Sequence, residues 1–157
     1  MVAIIIRRET TGTECQDSRI DLRKSDLRGA PLANAPLRKA NLSGANLQHA
    51  NLGGANLYKA NLSRANIVGA NLQRANLSGG DFRAADMRNA DLGQANISWS
   101  DLGDVILRGA DLRGANLSNS RLQGADLRGA DLRMADISRA DISAAWLGGA
   151  NLSVAGL

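Results

Sequence analysis

Apolar residues return along this chain on a beat of five. From Leu22 through Leu42, Leu62, Phe82, Leu102, Leu122 and Ile142 to Leu157, all 28 positions are Leu, Ile, Phe or Met, with no break in register. Two residues before each apolar centre stands Ala, in 22 of 28 units; one residue before it stands Asp or Asn, again in 22 of 28. The two residues after the centre vary. The unit is A-(D/N)-L-x-x.

Neither regular element buries this pattern. A helix advances about 100° per residue, so centres five apart step round by roughly 140° and never form one stripe. In a strand, centres five apart would point to opposite faces. A chain that turns a corner after every unit does bury it, because each centre then faces a common axis. Stacked coils of that kind share backbone hydrogen bonds, as in β-solenoids.

The exceptions set the coil length, because neighbours in a stack deviate together. The non-Ala residues Gly80, Ser100 and Ser120 fall 20 apart, as do Ser78, Ser98, Ser118 and Ser138, and also Arg88, Arg108 and Arg128. A period of 20 predicts four units per coil and a square cross-section. The 28 units then make about seven coils, roughly 34 Å long at about 4.8 Å per coil. The expected organisation is a capping segment over residues 1–19, with VAIII as strand or short helix, and an all-β repeat domain over 20–157.

The A-(D/N)-L-x-x run over residues 20–157 resembles the pentapeptide-repeat family, whose consensus is this unit. The resemblance implies a right-handed quadrilateral parallel β-helix with the Leu and Ala positions inside. Many members are bacterial, cyanobacterial ones among them. Some bind type II topoisomerases such as gyrase as an acidic, rod-shaped DNA mimic. Against that alternative stand a net charge of +4, the absence of a projecting loop and the absence of a helix after the repeats.

Composition adds limits. At 157 residues the chain fits one domain, and 44% hydrophobic residues suffice for a core although aromatics are only 3%. The charge and a pI near 10.0 permit an anionic partner without requiring one. A single cysteine, Cys15, excludes an internal disulfide and a Cys-based zinc site. The opening MVAIIIRR is too short for a signal core and carries its charges on the wrong side. A soluble, cytoplasmic protein with no membrane span is expected.

Within the repeat, Phe82 is the one bulky centre and Gly80 is expected to give it room. Pro31 and Pro36 take the Asp/Asn position near the first coil, where Pro can blunt pairing. Asn fills that position in eight consecutive units from Asn41 to Asn76, which suggests side-chain ladders. Asp91, Asp111 and Asp131 share one column, yet acceptance of turn hydrogen bonds explains them better than cation binding, and no metal or cofactor is expected. Arg121, between Asp101 and Asp141, reads as an ion-pair ladder.

Candidate chemistry is confined to the surface. Arg88, Arg108 and Arg128 form an outward column that could grip anions, with Arg113 and Arg133 on the next side and Asp111, Asp126 and Asp131 expected to neutralise much of it. Nucleic-acid binding lacks interleaved aromatics and a strong basic excess. Apolar residues also break the polar face: Ile106 and Trp146 in one column, Met134 and Val154 in another, and the core position Leu157 at the C-terminal end. These predict a contact surface for a protein partner, a second copy of the chain included. The lone His49 has no partner for nucleophilic or metal chemistry, and no enzyme motif occurs. The expected function is that of a non-catalytic structural or interaction module.

Overall fold

Most five-residue units bend the chain through one corner by the same pair of hydrogen bonds. The structure, a computed structural model, describes residues 20–156; the expected cap over 1–19 and the core position at Leu157 lie outside the described residues. In residues 41–45, the Asn41 side-chain oxygen accepts the Ser43 N–H at 3.2 Å. The Ala45 N–H then donates to the Leu42 carbonyl at 3.0 Å, closing the turn. Asp and Asn are suited to this because a short side-chain acceptor can reach the backbone two residues on. The same acceptance recurs at Asp91 and Asp101 with Gly93 and Gly103 as donors. The turn-bonding role expected of Asp and Asn is thus realised.

The turn has a conformational requirement. Its second residue is left-handed in every unit from Lys24 to Val154, with φ between 54° and 72°. Ten of these 27 residues are Gly, which meets no steric penalty there. The others include several Asn, the non-Gly residue that best tolerates that region.

Coil joins coil with a register of 20. Isolated parallel bridges link Asp21 to Asn41, Asn41 to Asn61, and so on along all four sides up to Asp136 and Gly156. At each bridge the backbone bonds run both ways: Leu42 N–H donates to the Asn61 carbonyl at 2.7 Å, and Asn61 N–H to the Ala40 carbonyl at 2.9 Å. A third bond joins the turns, from Gly44 N–H to the Ser63 carbonyl at 2.9 Å. The side-chain ladder expected along Asn41 to Asn76 is mostly replaced by the local turn bonds. Among the described residues, one Asn–Asn rung forms, with Asn71 Nδ2 donating to Asn51 Oδ1 at 3.2 Å.

The core is one continuous column, mostly of Leu and Ala, from Leu27 to Ile137, with Ile142, Leu147 and Leu152 half-buried beyond it. Phe82 is completely buried. A Cβ on Gly80 would lie 2.7 Å from Phe82 Cε2 and 3.0 Å from the Leu77 carbonyl, so the ring takes the space that an Ala methyl fills in other units. One coil on, Ser100 is buried and its hydroxyl donates to that same Leu77 carbonyl at 3.0 Å. Ser120 is satisfied by the Leu117 carbonyl. The two prolines do not interrupt the stack, for Pro31 bridges Asn51 and Pro36 bridges Asn56. The following coil's N–H needs only an acceptor, so Asn51 donates to the Ala30 carbonyl at 3.0 Å.

Candidate interaction surfaces

Alternation along each unit places the Asp/Asn residue and the first turn residue on the outside, flanking the inward Leu. When the first is Asp and the second Arg, they clamp. Arg83 Nη2 lies 2.7 Å from Asp81 Oδ2, and Arg88, Arg128 and Arg133 repeat the contact with Asp86, Asp126 and Asp131 at 2.6 to 2.7 Å. The Nε donates to the same carboxylate, for example Arg83 Nε to Asp81 Oδ1 at 2.9 Å, so the pairs are bidentate. The Arg side chain holds each of these carboxyls below the usual range, against the opposing effect of desolvation. The sequence carried a signal for this. Nine Arg occupy the first turn position, and seven of them follow an Asp by two residues.

The clamps change the picture of the arginine column. Arg88, Arg108 and Arg128 do fall in register, but Arg88 is held by Asp86 and Arg128 by Asp126. The neutralising acids are therefore Asp86 and Asp126. Asp111 and Asp131 belong instead to Arg113 and Arg133 on the next side. Arg108 has Ile106 where its own aspartate would stand, and reaches Asp126 across one coil at 3.9 Å. Asp91 accepts from Gln73 Nε2. Arg121 pairs with Asp101 at 3.7 Å, and its charge helps lower the Asp141 carboxyl behind the larger effect of Ser143.

The apolar candidates do not make one patch. Ile106 is half-buried, and Asp126 bridges both it and Trp146, so a carboxylate stands between the two. Trp146 is 59% exposed, with the Arg128 guanidinium 4.8 Å from its ring centroid. Met134 and Val154 are neighbours in one column, 72% and 85% exposed. Leu157 lies outside the described residues. Trp99, 70% exposed on another side, is a further apolar residue the periodic reading passed over. Its signal was a bulky aromatic at the left-handed turn position, where φ is 60°. Met134 and Val154 sit at that same position with φ of 60° and 61°. For β-branched Val154 this is a costly conformation, of the kind that accumulates at functional surfaces.

His49 is exposed at a turn, its ring against Gly69. Among the described residues no group of three or more His, Cys, Asp and Glu could hold a metal ion, and no helix is long and apolar enough to cross a membrane.

A family model described as pentapeptide repeats matches eight copies, over residues 18–44, 40–79, 65–104 and 95–133. Among solved structures, the chain is similar to HetL, a pentapeptide repeat protein involved in heterocyst differentiation regulation from the cyanobacterium Nostoc sp. strain PCC 7120. The identity is 33% over 86% of this chain and 71% of that one, with a TM-score of 0.70. It is 41% identical to Rfr23 from the cyanobacterium Cyanothece 51142, over 58% of each chain, with a TM-score of 0.44. Trypsin-treated QnrB1, a plasmid-mediated fluoroquinolone resistance protein, matches at 19% identity over 86% and 84% of the two chains, with a TM-score of 0.49. No curated protein matches.

Proposed function

This chain belongs to the pentapeptide-repeat family, and on that premise we propose that it is a non-catalytic module that docks a protein partner through the exposed apolar residues of its C-terminal coils. Its repeats form the right-handed quadrilateral helix of about seven coils that the family pattern implies. The observation that carries the reading is the exposure of Met134, Trp146 and Val154 within about one coil's length of chain. Two of them stand on left-handed turns that hold the side chain out to solvent. Large apolar groups displayed in that way carry an unfavourable hydration free energy that another surface removes by covering them.

A second copy of the chain is the first partner to test. Light scattering on the wild-type protein at tens of micromolar should give the mass of two chains. The variant Trp146→Asp with Val154→Asp should give the mass of one. Wild-type protein that stays monomeric throughout would remove self-association and leave a different chain as the partner.

The DNA-mimic alternative needs a row of free carboxylates. Here Asp81, Asp86, Asp111, Asp126 and Asp131 are each clamped by an arginine two residues on, which disfavours it. A gyrase supercoiling assay, unaffected by micromolar protein, is the expected outcome. The arginine column is a weak anion site for the same reason, since Arg88 and Arg128 are already engaged.

A further inference from the structure

A groove of about 500 Å³ runs over the turns of five successive coils on one side of the stack. Its origin is an alternation of large and small residues at the left-handed turn position: Lys24, Gly44, Arg64, Ala84, Asp104 and Gly124. Side chains there lean along the stack toward the following coil. Asp104 Oδ1 is 2.5 Å from where a Cβ on Gly124 would be, and Lys24 Cγ is 3.6 Å from the corresponding point on Gly44. The small residues therefore leave a trough between Lys24, Arg64 and Asp104.

The trough is positively charged and only in part neutralised. Arg83 lines it but is clamped by Asp81 at 2.7 Å. Among the described residues, the charged ends of Lys24 and Arg64 have no ion-pair or hydrogen-bond partner, although arginines elsewhere on the surface are clamped. Ser43 Oγ, also in the lining, is likewise without a partner there. Ser63 Oγ donates to Asn61 Oδ1 at 2.7 Å. Among the described residues, no aromatic side chain lines the groove, and Ala84 is its one apolar lining residue.

We propose that this groove binds a short linear polyphosphate, with Arg64 and Lys24, set roughly 10 Å apart by two coil spacings of about 4.8 Å, each taking one end of it. A free guanidinium fork suits phosphate oxygens, and the Ser43 hydroxyl adds a donor between the two cations. The described lining residues offer no stacking surface for a base and no pocket for an apolar side chain, which sets a condensed phosphate chain ahead of nucleic acid or peptide. Asp104 closes the far end by repelling further negative charge. The groove is built from residues 24 to 104, well away in sequence from the apolar residues at 134 to 154. The two proposals therefore stand or fall separately.

The test is calorimetric titration of the full chain at low ionic strength with inorganic tripolyphosphate, and separately with orthophosphate. One tripolyphosphate should bind per chain, and orthophosphate should bind much more weakly. Lys24→Asn and Arg64→Asn should each weaken tripolyphosphate binding about tenfold, the loss of one charge-assisted contact. Asn is chosen because it tolerates the left-handed turn, and circular dichroism checks that each variant is folded. Arg74→Asn is the control: it has the same turn position on another side, with its guanidinium donating to Gln94 at 3.1 Å, and should leave binding unchanged. Asp104→Asn should tighten binding about twofold, the effect of one charge near 10 Å in water. The proposal is overturned by any of three results: no binding at millimolar tripolyphosphate, equal losses in Arg64→Asn and Arg74→Asn, or tighter binding of a single-stranded oligonucleotide than of tripolyphosphate.

Discussion

Arg108 and Asp126 meet across one coil, with Nε 3.9 Å from Oδ2, because Ile106 stands where the aspartate of Arg108's own unit would be. Asp126 therefore serves two arginines: Arg128 in its own unit at 2.6 Å and Arg108 from the coil before. It also accepts the Arg128 backbone N–H at 3.3 Å, so it has a turn role as well as a charge role.

The two roles separate by substitution. Asp126→Asn keeps an acceptor for the turn and removes the charge, and should cost under about 1 kcal/mol, the scale of a partly exposed ion pair. Asp126→Ala removes both and should cost about 1 kcal/mol more, the scale of one hydrogen bond. Thermal or urea unfolding of the two variants measures the difference; equal losses would show that the turn bond contributes nothing.

The clamps set the acid limb of stability. Asp81, Asp86, Asp111, Asp126 and Asp131 have carboxyls lowered in the folded chain, first by the arginine two residues on. A lowered folded value means that the unfolded chain takes up protons first as pH falls. The stabilisation is then complete above the ordinary carboxylate range near pH 4 and is lost as pH drops through the folded values. Melting temperature should hold steady from pH 8 to about 5 and decline below about 4. A melting temperature that rose on acidification would contradict the sign.

Gly80 and Phe82 form a matched pair. Gly80→Ala should destabilise by about 1–3 kcal/mol, because the new methyl group meets the Phe82 ring edge and the Leu77 carbonyl. Adding Phe82→Leu restores the ordinary A-D-L unit. The double variant should be more stable than Gly80→Ala alone. Simple addition of the two single losses would mean that the ring does not set the need for glycine.

Val154 is β-branched on a left-handed turn with φ of 61°. Val154→Asn should relieve strain of about 1 kcal/mol and slow amide exchange at Ala155, whose N–H closes this turn on the Leu152 carbonyl at 3.0 Å. Unchanged or faster exchange would show that the turn carries no strain. If a partner docks here, the same substitution should weaken its capture while stabilising the fold.

The stacking register was legible because deviations such as Gly80, Ser100 and Ser120 recur at 20 residues, and the bridges have that spacing. The core followed from the same beat, since the Leu and Ala positions are the two inward ones in each unit and only the first has room for leucine. Contacts within a unit were harder to see. The two-residue clamp is masked by the stronger 20-residue register, although alternation puts both its members on the outer face. Ile106 and Trp146 share a column 40 residues apart, but Asp126 occupies the coil between them. The groove at Lys24 and Arg64 depends on which way turn side chains lean, and residue types alone do not reveal that.

Whether the exposed apolar residues near the C-terminal coils are a protein contact is decided by quantitative affinity capture from the source cell, comparing wild-type chain with a folded variant carrying Met134→Asp, Trp146→Asp and Val154→Asp. At least one protein, or the chain itself, should be retained by the wild type and lost by the variant. Identical captured sets for the two baits would contradict such a contact.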